Sequence, residues 1–329
     1  MKALVTGATG FLGGYLAREL HRRGWDVTAT GRSLERGAEL EAEGIAFRAS
    51  ALDDRETMLA LCEGQEVIFH CGALSSAWGR KEAFWAANVT GTSNIVDGAK
   101  AGGAKRLVHV STPAVYFSFE KRLGVKESDP LPPEPVNLYA ASKLAAEEVV
   151  RSAVAEGLNA VIIRPRAIFG PGDTAIFPRL LRNIESGRFK IIGDESATLD
   201  LTFIDNCVEA CILAGTVEGL PSGRVYNITD GEETQLWPLL RHISASLGYD
   251  FPTSSISAGK ARTAARVMEF FHRNFRPDVE PLLTQYAVGI LSGTLTLDIS
   301  RAREELGYNP SVSTMEGVAR FLAHLKQQG

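Results

Sequence analysis

Short apolar runs punctuate the first half of the chain, at Lys2–Thr6, Asp26–Thr30, Ile45–Arg48, Glu66–His70, Arg106–Ser111 and Asn159–Arg164. Runs of this length, bounded by turn residues, predict strands buried in a sheet. The segments between them repeat their apolar residues at helical spacing. Phe11, Leu12, Tyr15, Leu16 and Leu20 form one stripe that stops at Gly24, and Met58–Cys62 ends another helix. Lys81 to about Lys100 and Tyr139–Glu156 read as longer helices, the second preceded by a Pro-rich loop at Asp129–Pro135. Strands alternating with helices predict an α/β fold on a doubly wound parallel sheet.

After Gly170-Pro171-Gly172 the rhythm changes. Phe177–Ser186 and Asn206–Ala214 read as helices, Leu201–Ile204 as a strand, and Thr314–Lys326 as a closing helix. Arg224–Ile228 is a β-run expected to return to the main sheet. The expected division is a core of residues 1–170 plus about 224–231. A smaller, discontinuous C-terminal lobe of about 171–223 and 232–329 closes over the substrate.

Composition narrows the function little. The 329 residues carry a formal charge of −4 with 45% hydrophobic residues, so no basic excess points to nucleic acid. The start runs directly into a strand pattern with no cleavable signal, and no apolar run approaches the ~20 residues of a membrane span. The four cysteines, Cys62, Cys71, Cys207 and Cys211, form neither a disulfide framework nor a CxxC. Cys207 and Cys211 lack nearby histidines, so no metal is expected. The expected setting is a reducing cytoplasm and the expected partner a small molecule.

The candidate chemistry lies at the ends of strands. Gly7, Gly10 and Gly13 follow a strand and open a helix. Glycine there lets the backbone approach a pyrophosphate, whose charge meets the helix N-terminus. Tyr139 and Lys143 are one helical turn apart, so phenol and ammonium share a face. A phenol titrates near pH ~10; a fixed positive charge nearby lowers that value and readies it to exchange protons with a carbonyl–alcohol couple. Thr112, delivered with Ser111 to the C-terminal edge of the sheet, is placed to hydrogen-bond the substrate oxygen.

A longer set accompanies these residues: His70-Cys71-Gly72-Ala73, Asn88-Val89-Thr90-Gly91-Thr92, Val110–Tyr116 and Arg164–Gly172. Together they resemble the extended short-chain dehydrogenase/reductase family, in its epimerase/dehydratase-like branch, over essentially the whole chain. The resemblance implies a Rossmann-type core with Tyr139 as acid/base and Thr112 polarising the carbonyl. Lys143 would bind the nicotinamide ribose and lower the Tyr139 pKa. Cofactor contacts are implied for Gly7, Thr9, Gly10, Phe11, Leu12, Gly13, Leu52, Asp53, Ala73, Lys143, Pro165 and Ile168. Ser111 precedes the usual position and is expected to be structural or a cofactor contact, while His70 and Asn88 are expected to anchor packing or loops. Ala51 departs from the family, which often places Asp there to contact adenine; the backbone of Leu52, or Asp53, would substitute.

Pro113-Ala114 replaces the Asp-Glu pair of sugar-nucleotide dehydratases, which disfavours dehydration. Leu199 stands where sugar-nucleotide enzymes usually carry an Arg. The segments Arg164–Asp173, Asp200–Asn206 and Tyr226–Glu232 are similar to a narrower group. It comprises 3β-hydroxysteroid dehydrogenase-like proteins, sterol-carboxylate 3-dehydrogenases and bacterial reductases of long-chain 2-alkyl-3-ketoacids. That likeness implies hydride transfer between a nicotinamide cofactor and a secondary alcohol or ketone in a largely hydrophobic molecule. Ser75, Trp78, Phe169, Phe177 and Phe203 are the substrate candidates, with an ordinary core role as the alternative for each aromatic. A redox-neutral sugar-nucleotide epimerase and a non-catalytic nucleotide sensor are the competing readings; the second has no need of the Tyr139/Lys143 pair.

The second strand ends in Thr30-Gly31-Arg32 without the acidic residue that holds the ribose 2′-hydroxyl of NAD. Arg32, with Arg36, suits a 2′-phosphate unless both simply face water, which favours NADP(H) over NAD(H). The Arg- and Phe-rich segment Ala261–Arg276 reads as a lid, a membrane-surface helix or a packed lobe helix. The last is preferred, so membrane association is expected to be at most peripheral. A homodimer through the Lys81–Lys100 and Tyr139–Glu156 helices is implied by the resemblance.

Overall fold

The computed structural model of the chain describes residues 1–173, 176–187 and 189–328. Its centre is a seven-stranded parallel sheet in the spatial order Val225–Ile228, Ala160–Pro165, Arg106–Val110, Val67–His70, Lys2–Thr6, Asp26–Gly31 and Ala46–Ala49. The chain order reverses between Lys2–Thr6 and Val67–His70. The C-terminal ends of those strands therefore open a crevice, where open α/β sheets receive ligands. Val225–Ile228 does return to the sheet, pairing with Ile162–Pro165 at its edge.

Alternate strand residues serve opposite layers. Leu4, Ile68, Leu107 and Ile162 pack with Met58, Ile95 and Val150. Val5, Phe69, Val108 and Ile163 pack with Leu16, Leu20, Val208 and Ile212. Burial on both faces is why these strands read as continuous apolar runs. The first layer is built by helices Arg55–Cys62, Gly91–Ala101 and Leu138–Ala155, the second by Phe11–Arg22 and Ile204–Thr216. Helix Ile204–Thr216 thus covers the main sheet, although its sequence position lies within the span expected for the lobe.

The lobe has its own four-stranded sheet, ordered Glu233–Gln235, Thr198–Asp200, Leu295–Leu297 and Arg122–Val125. The expected strand Leu201–Ile204 is divided. Thr202–Phe203 pairs with Ile168–Phe169, and the helix begins at Ile204. Thr202 Oγ1 lies 2.5 Å from Arg166 O and 3.1 Å from Ile228 O, which pulls this corner onto the main sheet. The expected long helix Lys81–Lys100 is also broken, since Trp85–Thr90 forms a π-turn between α-helical Lys81–Phe84 and Gly91–Ala101. Within that wide turn, Asn88 accepts from Leu74 N at 2.7 Å and donates to Ser142 Oγ at 2.9 Å. Such turns recur where a helix must present a functional side chain. No helix among the described residues is long and apolar enough to cross a membrane, and no His/Cys/Asp/Glu group there is arranged to hold a metal.

One buried ion pair fixes helix Leu138–Ala155 to the strand ends. Glu147, 0% exposed, accepts from Arg164 Nε at 2.8 Å, Arg164 Nη2 at 2.5 Å and Ser111 Oγ at 2.5 Å. Arg151 adds a further donor at 2.5 Å. Arg164 Nη1 also donates to the Tyr116 hydroxyl, which donates to Asn227 Oδ1 at 2.9 Å. Burial alone would raise the Glu147 pKa, but the Arg164 guanidinium, Ser111 and Arg151 outweigh it and hold the carboxyl below its ordinary 4.5.

Glu147→Gln leaves the Arg164 charge buried without its partner. Urea unfolding at neutral pH is expected to show a loss of ~3–5 kcal/mol, the usual cost of breaking such a pair from one side. Because the folded pKa lies below 4.5, this stabilisation is complete above that value and is lost as pH falls through the folded value. The gap between wild type and Glu147→Gln should therefore close on acidification; a gap that widens would contradict the arrangement.

Candidate functional site

The turn from Lys2–Thr6 into helix Phe11–Arg22 floors the crevice. Gly7 has φ 68°, and a Cβ there would lie 2.6 Å from Gly72 Cα. A Cβ on Gly13 would lie 2.4 Å from Gly7 O. Neither position admits another residue without movement of backbone. Gly10 caps the helix without a side chain, and no acidic residue occupies the first turn. The helix N-terminus therefore offers its backbone donors and positive end to the cavity. A cradle that a single Cβ would fill suits a dinucleotide pyrophosphate.

The remaining expected cofactor residues cluster around that cradle. Thr9, Phe11, Leu12, Arg32, Leu52, Asp53, Ala73, Pro165 and Ile168 all line the cavity. Arg32 is exposed at the end of Asp26–Gly31 and makes no ion pair among the described residues. Arg36 stands behind the wall, where its Nη1 donates to Thr9 O at 2.9 Å.

Helix Leu138–Ala155 starts at Asn137, whose side chain accepts from Ala140 N at 2.8 Å. Tyr139 and Lys143 consequently fall one turn apart and both reach the cavity. Ser75 and Thr112 line the cavity with Tyr139, and both act to lower the phenol's pKa. Thr112 Oγ1 also accepts from Ala114 N at 3.2 Å, which fixes its rotamer. Ser111 is turned away to Glu147.

The electrostatics differ from the sequence expectation. Burial raises the Tyr139 pKa, and the neighbouring Ser75 and Thr112 only moderate it. Lys143 Nζ is directed to the strand end, donating to Val110 O at 2.8 Å and lying 3.2 Å from His109 Nε2. Burial brings the Lys143 pKa down to about 8 against the opposing charge of Glu147. The ammonium shares the phenol's helix face, but it is bound at the strand end and is not among the groups that shift the phenol. Burial keeps both neighbouring histidines neutral, and the His70 pKa falls to about 3. His70 bridges Thr6 Oγ1 at 2.7 Å and Thr92 Oγ1 at 3.0 Å, a packing anchor between strand and helix.

A continuous cavity of about 1250 Å³ runs from the glycine turn past Tyr139 into the lobe. Single-ligand pockets are typically ~300–1,000 Å³, so this one has room for a dinucleotide and a second molecule. Its far wall is apolar, with Leu180, Leu199, Leu239, Met268, Leu283 and Ile290. Ser75 and Phe177 line it; Trp78, Phe169 and Phe203 do not. Phe169 stacks edge-on with Phe177 at 5.4 Å and Phe203 at 5.6 Å as ordinary core, because their strands turn those rings away from the crevice. Trp78 instead donates from Nε1 to Pro277 O at 2.9 Å, and Arg80 pairs with Asp278 at 2.6 Å. The loop that carries Ser75 is thereby latched to the lobe.

Sequence reasoning missed Tyr286 and Arg166, both in the wall. Tyr286 lies in a segment without motif or regular alternation, and Arg166 was read only as part of a longer signature. Helix Ala258–Phe275 resolves the three readings of its segment in part: Ala261, Ala264 and Met268 line the cavity, while Phe270 and Phe275 are each 68% exposed on the other side.

Comparison with known proteins places this geometry. Residues 3–229 match the NAD dependent epimerase/dehydratase family. The chain is 35% identical to a 4-hydroxy-2-methyl-3-oxo-4-farnesyl-3,4-dihydroquinoline-1-oxide ketoreductase of Stigmatella aurantiaca, over 97% of this chain and 95% of that one. It is also 35% identical to a 2-alkyl-3-oxoalkanoate reductase of Stenotrophomonas maltophilia, over 98% and 99% of the two chains. The fold matches UDP-glucuronic acid 4-epimerase from Bacillus cereus, solved with UDP-glucuronic acid and NAD, with TM-score 0.79 at 22% identity over the full length of both.

The cradle predicts a graded response to added methyl groups. Gly13→Ala, aimed at a backbone oxygen at 2.4 Å, should abolish saturable binding of NADH or NADPH in a fluorescence titration. Gly10→Ala, whose Cβ would meet Gly7 O at 3.1 Å, should weaken it only modestly. Equal effects of the two would remove the steric account of the turn.

Proposed function

The chain belongs to the NAD dependent epimerase/dehydratase family, and we propose that Tyr139, Thr112 and Lys143 carry its reaction, the interconversion of a ketone and a secondary alcohol in a largely apolar molecule. As an NAD(P)-dependent oxidoreductase of the extended short-chain type, it needs a cofactor cradle, a proton donor and an apolar chamber in contact. The observation that carries the reading is Tyr139, which shares the cavity lining with Thr112 and Ser75 where the glycine turn meets the apolar wall.

A nicotinamide cofactor, held by the Gly7–Gly13 turn and Lys143, would supply the hydride for reduction of the ketone and accept it in oxidation of the alcohol. Tyr139 gives the proton to the substrate oxygen in reduction and removes it in oxidation. Its raised pKa keeps the phenol protonated, which suits it as a donor. Thr112 holds the same oxygen with a rotamer already set by Ala114 N. Lys143, tethered at Val110 O, keeps further N–H donors for the nicotinamide ribose. Leu199 puts an apolar side chain, 5% exposed, into the wall where a sugar nucleotide would want a cation.

For the cofactor we favour NADP(H) over NAD(H), on Arg32, which makes no ion pair among the described residues, and the lack of an acidic residue at the end of Asp26–Gly31. We also infer a homodimer through the helices spanning 81–101 and 138–155; sedimentation at twice 35.5 kDa supports it and sedimentation as a monomer overturns it.

Tyr139→Phe should lower kcat by ~10²–10⁴, the usual share of a positioned acid–base group, while cofactor affinity stays unchanged. Undiminished turnover would remove Tyr139 from the mechanism. Arg32→Ala should raise KM for NADPH on the order of 10-fold through loss of charge-assisted hydrogen bonds and leave KM for NADH alone. A wild-type preference for NADH would refute the cofactor assignment.

A further inference from the structure

Two histidines stand side by side at the C-terminal ends of central strands, and the proposed reaction uses neither. His70 and His109 are register partners on Val67–His70 and Arg106–Val110, both 0% exposed, with ring centroids 5.3 Å apart. The hydrogen bonds of His70 fix its tautomer. Thr92 Oγ1 gives its hydrogen to Asn88 O at 2.6 Å, so it accepts from His70 Nε2 at 3.0 Å. Nδ1 then accepts from Thr6 Oγ1 at 2.7 Å, and Gly72 N donates to that hydroxyl at 3.1 Å. His70 is a neutral ring with both nitrogens satisfied.

His109 is bound on one side only. Its Nε2 lies 3.2 Å from Lys143 Nζ, and its Nδ1 is buried without a partner. An ammonium has three hydrogens and no lone pair, so Nε2 accepts and the ring hydrogen stays on Nδ1. A buried N–H without an acceptor costs free energy, and the arrangement that bears this cost is the one that serves Lys143. Of the three Lys143 hydrogens, Val110 O takes one at 2.8 Å and His109 a second. The third is left for the cavity that Lys143 lines. The titratable groups facing this pair come from two elements, Glu147 and Arg151 from helix Leu138–Ala155, and His70 and Cys71 from the end of Val67–His70. Burial lowers the Lys143 pKa to about 8, with Glu147 and Cys71 acting against it. Burial also keeps a second proton off His109, helped by Lys143, His70 and Arg151. Tyr139 and Cys71 are both shifted upward, which leaves Lys143 as the group of this junction whose charge changes near pH 8.

We propose that His109 is a positioning residue: by accepting one Lys143 hydrogen at Nε2 it holds the ammonium to the strand end, so that the third N–H meets the ribose of a bound nucleotide. This rests on the role given to Lys143 above and names the side chain that fixes it. A hydrogen bond to a charged group favours the charged form, so His109 also helps to keep Lys143 an ammonium at neutral pH. When Lys143 releases its proton to solvent, the amine nitrogen accepts in turn, and the single ring hydrogen of His109 changes from Nδ1 to Nε2. The tautomer of His109 follows the charge of Lys143.

The test is a fluorescence titration with NADH, which lacks the titrating 2′-phosphate of NADPH, across the pH range of the Lys143 transition. It compares the wild type with His109→Gln and His109→Leu. Wild-type affinity should hold steady up to about pH 8 and weaken ~10-fold above it as the ammonium is lost. Gln carries an amide oxygen near the position of Nε2 and should keep both the affinity and the place of that alkaline limb. Leu carries no acceptor; its affinity at neutral pH should fall ~10-fold and its limb move ~1–2 pH units toward acid. A wild type without the limb, or folded Gln and Leu variants that behave alike, overturns the proposal. Nitrogen-15 NMR of the wild type needs no variant to fold. At neutral pH it should show the ring hydrogen on Nε2 of His70 and on Nδ1 of His109, the latter changing nitrogen above about pH 8; a hydrogen on His109 Nε2 at neutral pH overturns the proposal. Neither readout needs a carbonyl substrate. A ketone panel without turnover, beside the binding and NMR results expected here, supports the positioning role and counts against the reaction.

Discussion

The Glu147–Arg164 pair is the fixed point from which the site is measured. Glu147 stands one turn beyond Lys143 and two beyond Tyr139, on the same helix. Arg164 stands one residue before Pro165 and two before Arg166, at the end of a strand. Ser111 joins the pair from the adjacent strand and places Thr112 next to it. A single carboxylate thus sets the separation of the helix that supplies the phenol from both strand ends that supply its partners. Desolvation takes back much of what such a pair gains in Coulomb energy. Its return here is register, because one carboxylate on that helix receives Arg164 and Ser111 from two strand ends at once.

The polar groups around this point divide into charged and neutral zones. Glu147 and Arg164 stay ionised because they satisfy each other. His70 and His109 stay neutral because burial and the Lys143 charge both disfavour a second cation. Lys143 lies between the zones, its pKa lowered by burial yet supported by Glu147. Tyr139 lies on the apolar side, where burial keeps it protonated. The loop with Ser75 brings the lobe into this balance, since Trp78 and Arg80 hold that loop to Pro277 and Asp278. The position of the lobe and the setting of the Ser75 loop at the cavity are therefore mechanically linked.

What could be read from the amino acids follows from what physics forces at each place. Strands buried on both faces have no freedom of composition, so Lys2–Thr6 and Arg106–Val110 declared themselves. Gly7 and Gly13 were legible because a Cβ has no room at either. The spacing of Tyr139 and Lys143 gave the shared face but not the direction of a four-carbon stem, and so the expected charge effect on the phenol was misjudged. The lobe was hardest. Its strands are two to four residues long, and Leu295–Leu297 pairs with Arg122–Val125 across most of the chain. Pairing at that range leaves no local periodicity. Phe169 and Phe203 carry no sign of which way their rings turn.

The threading of the chain between its two sheets has a consequence for how the molecule comes apart. Helix Ile204–Thr216 shields one side of the central sheet, Val225–Ile228 closes its edge, and Arg122–Val125 crosses into the lobe. Val5 and Phe69 belong to the same apolar cluster as Leu240 and Phe321. One apolar layer is therefore shared by both halves, while the layer around Leu4, Ile68 and Leu107 belongs to the nucleotide-binding portion alone. Loss of structure along the shared interior is expected to be transmitted to the whole, so that the protein melts in a single cooperative step.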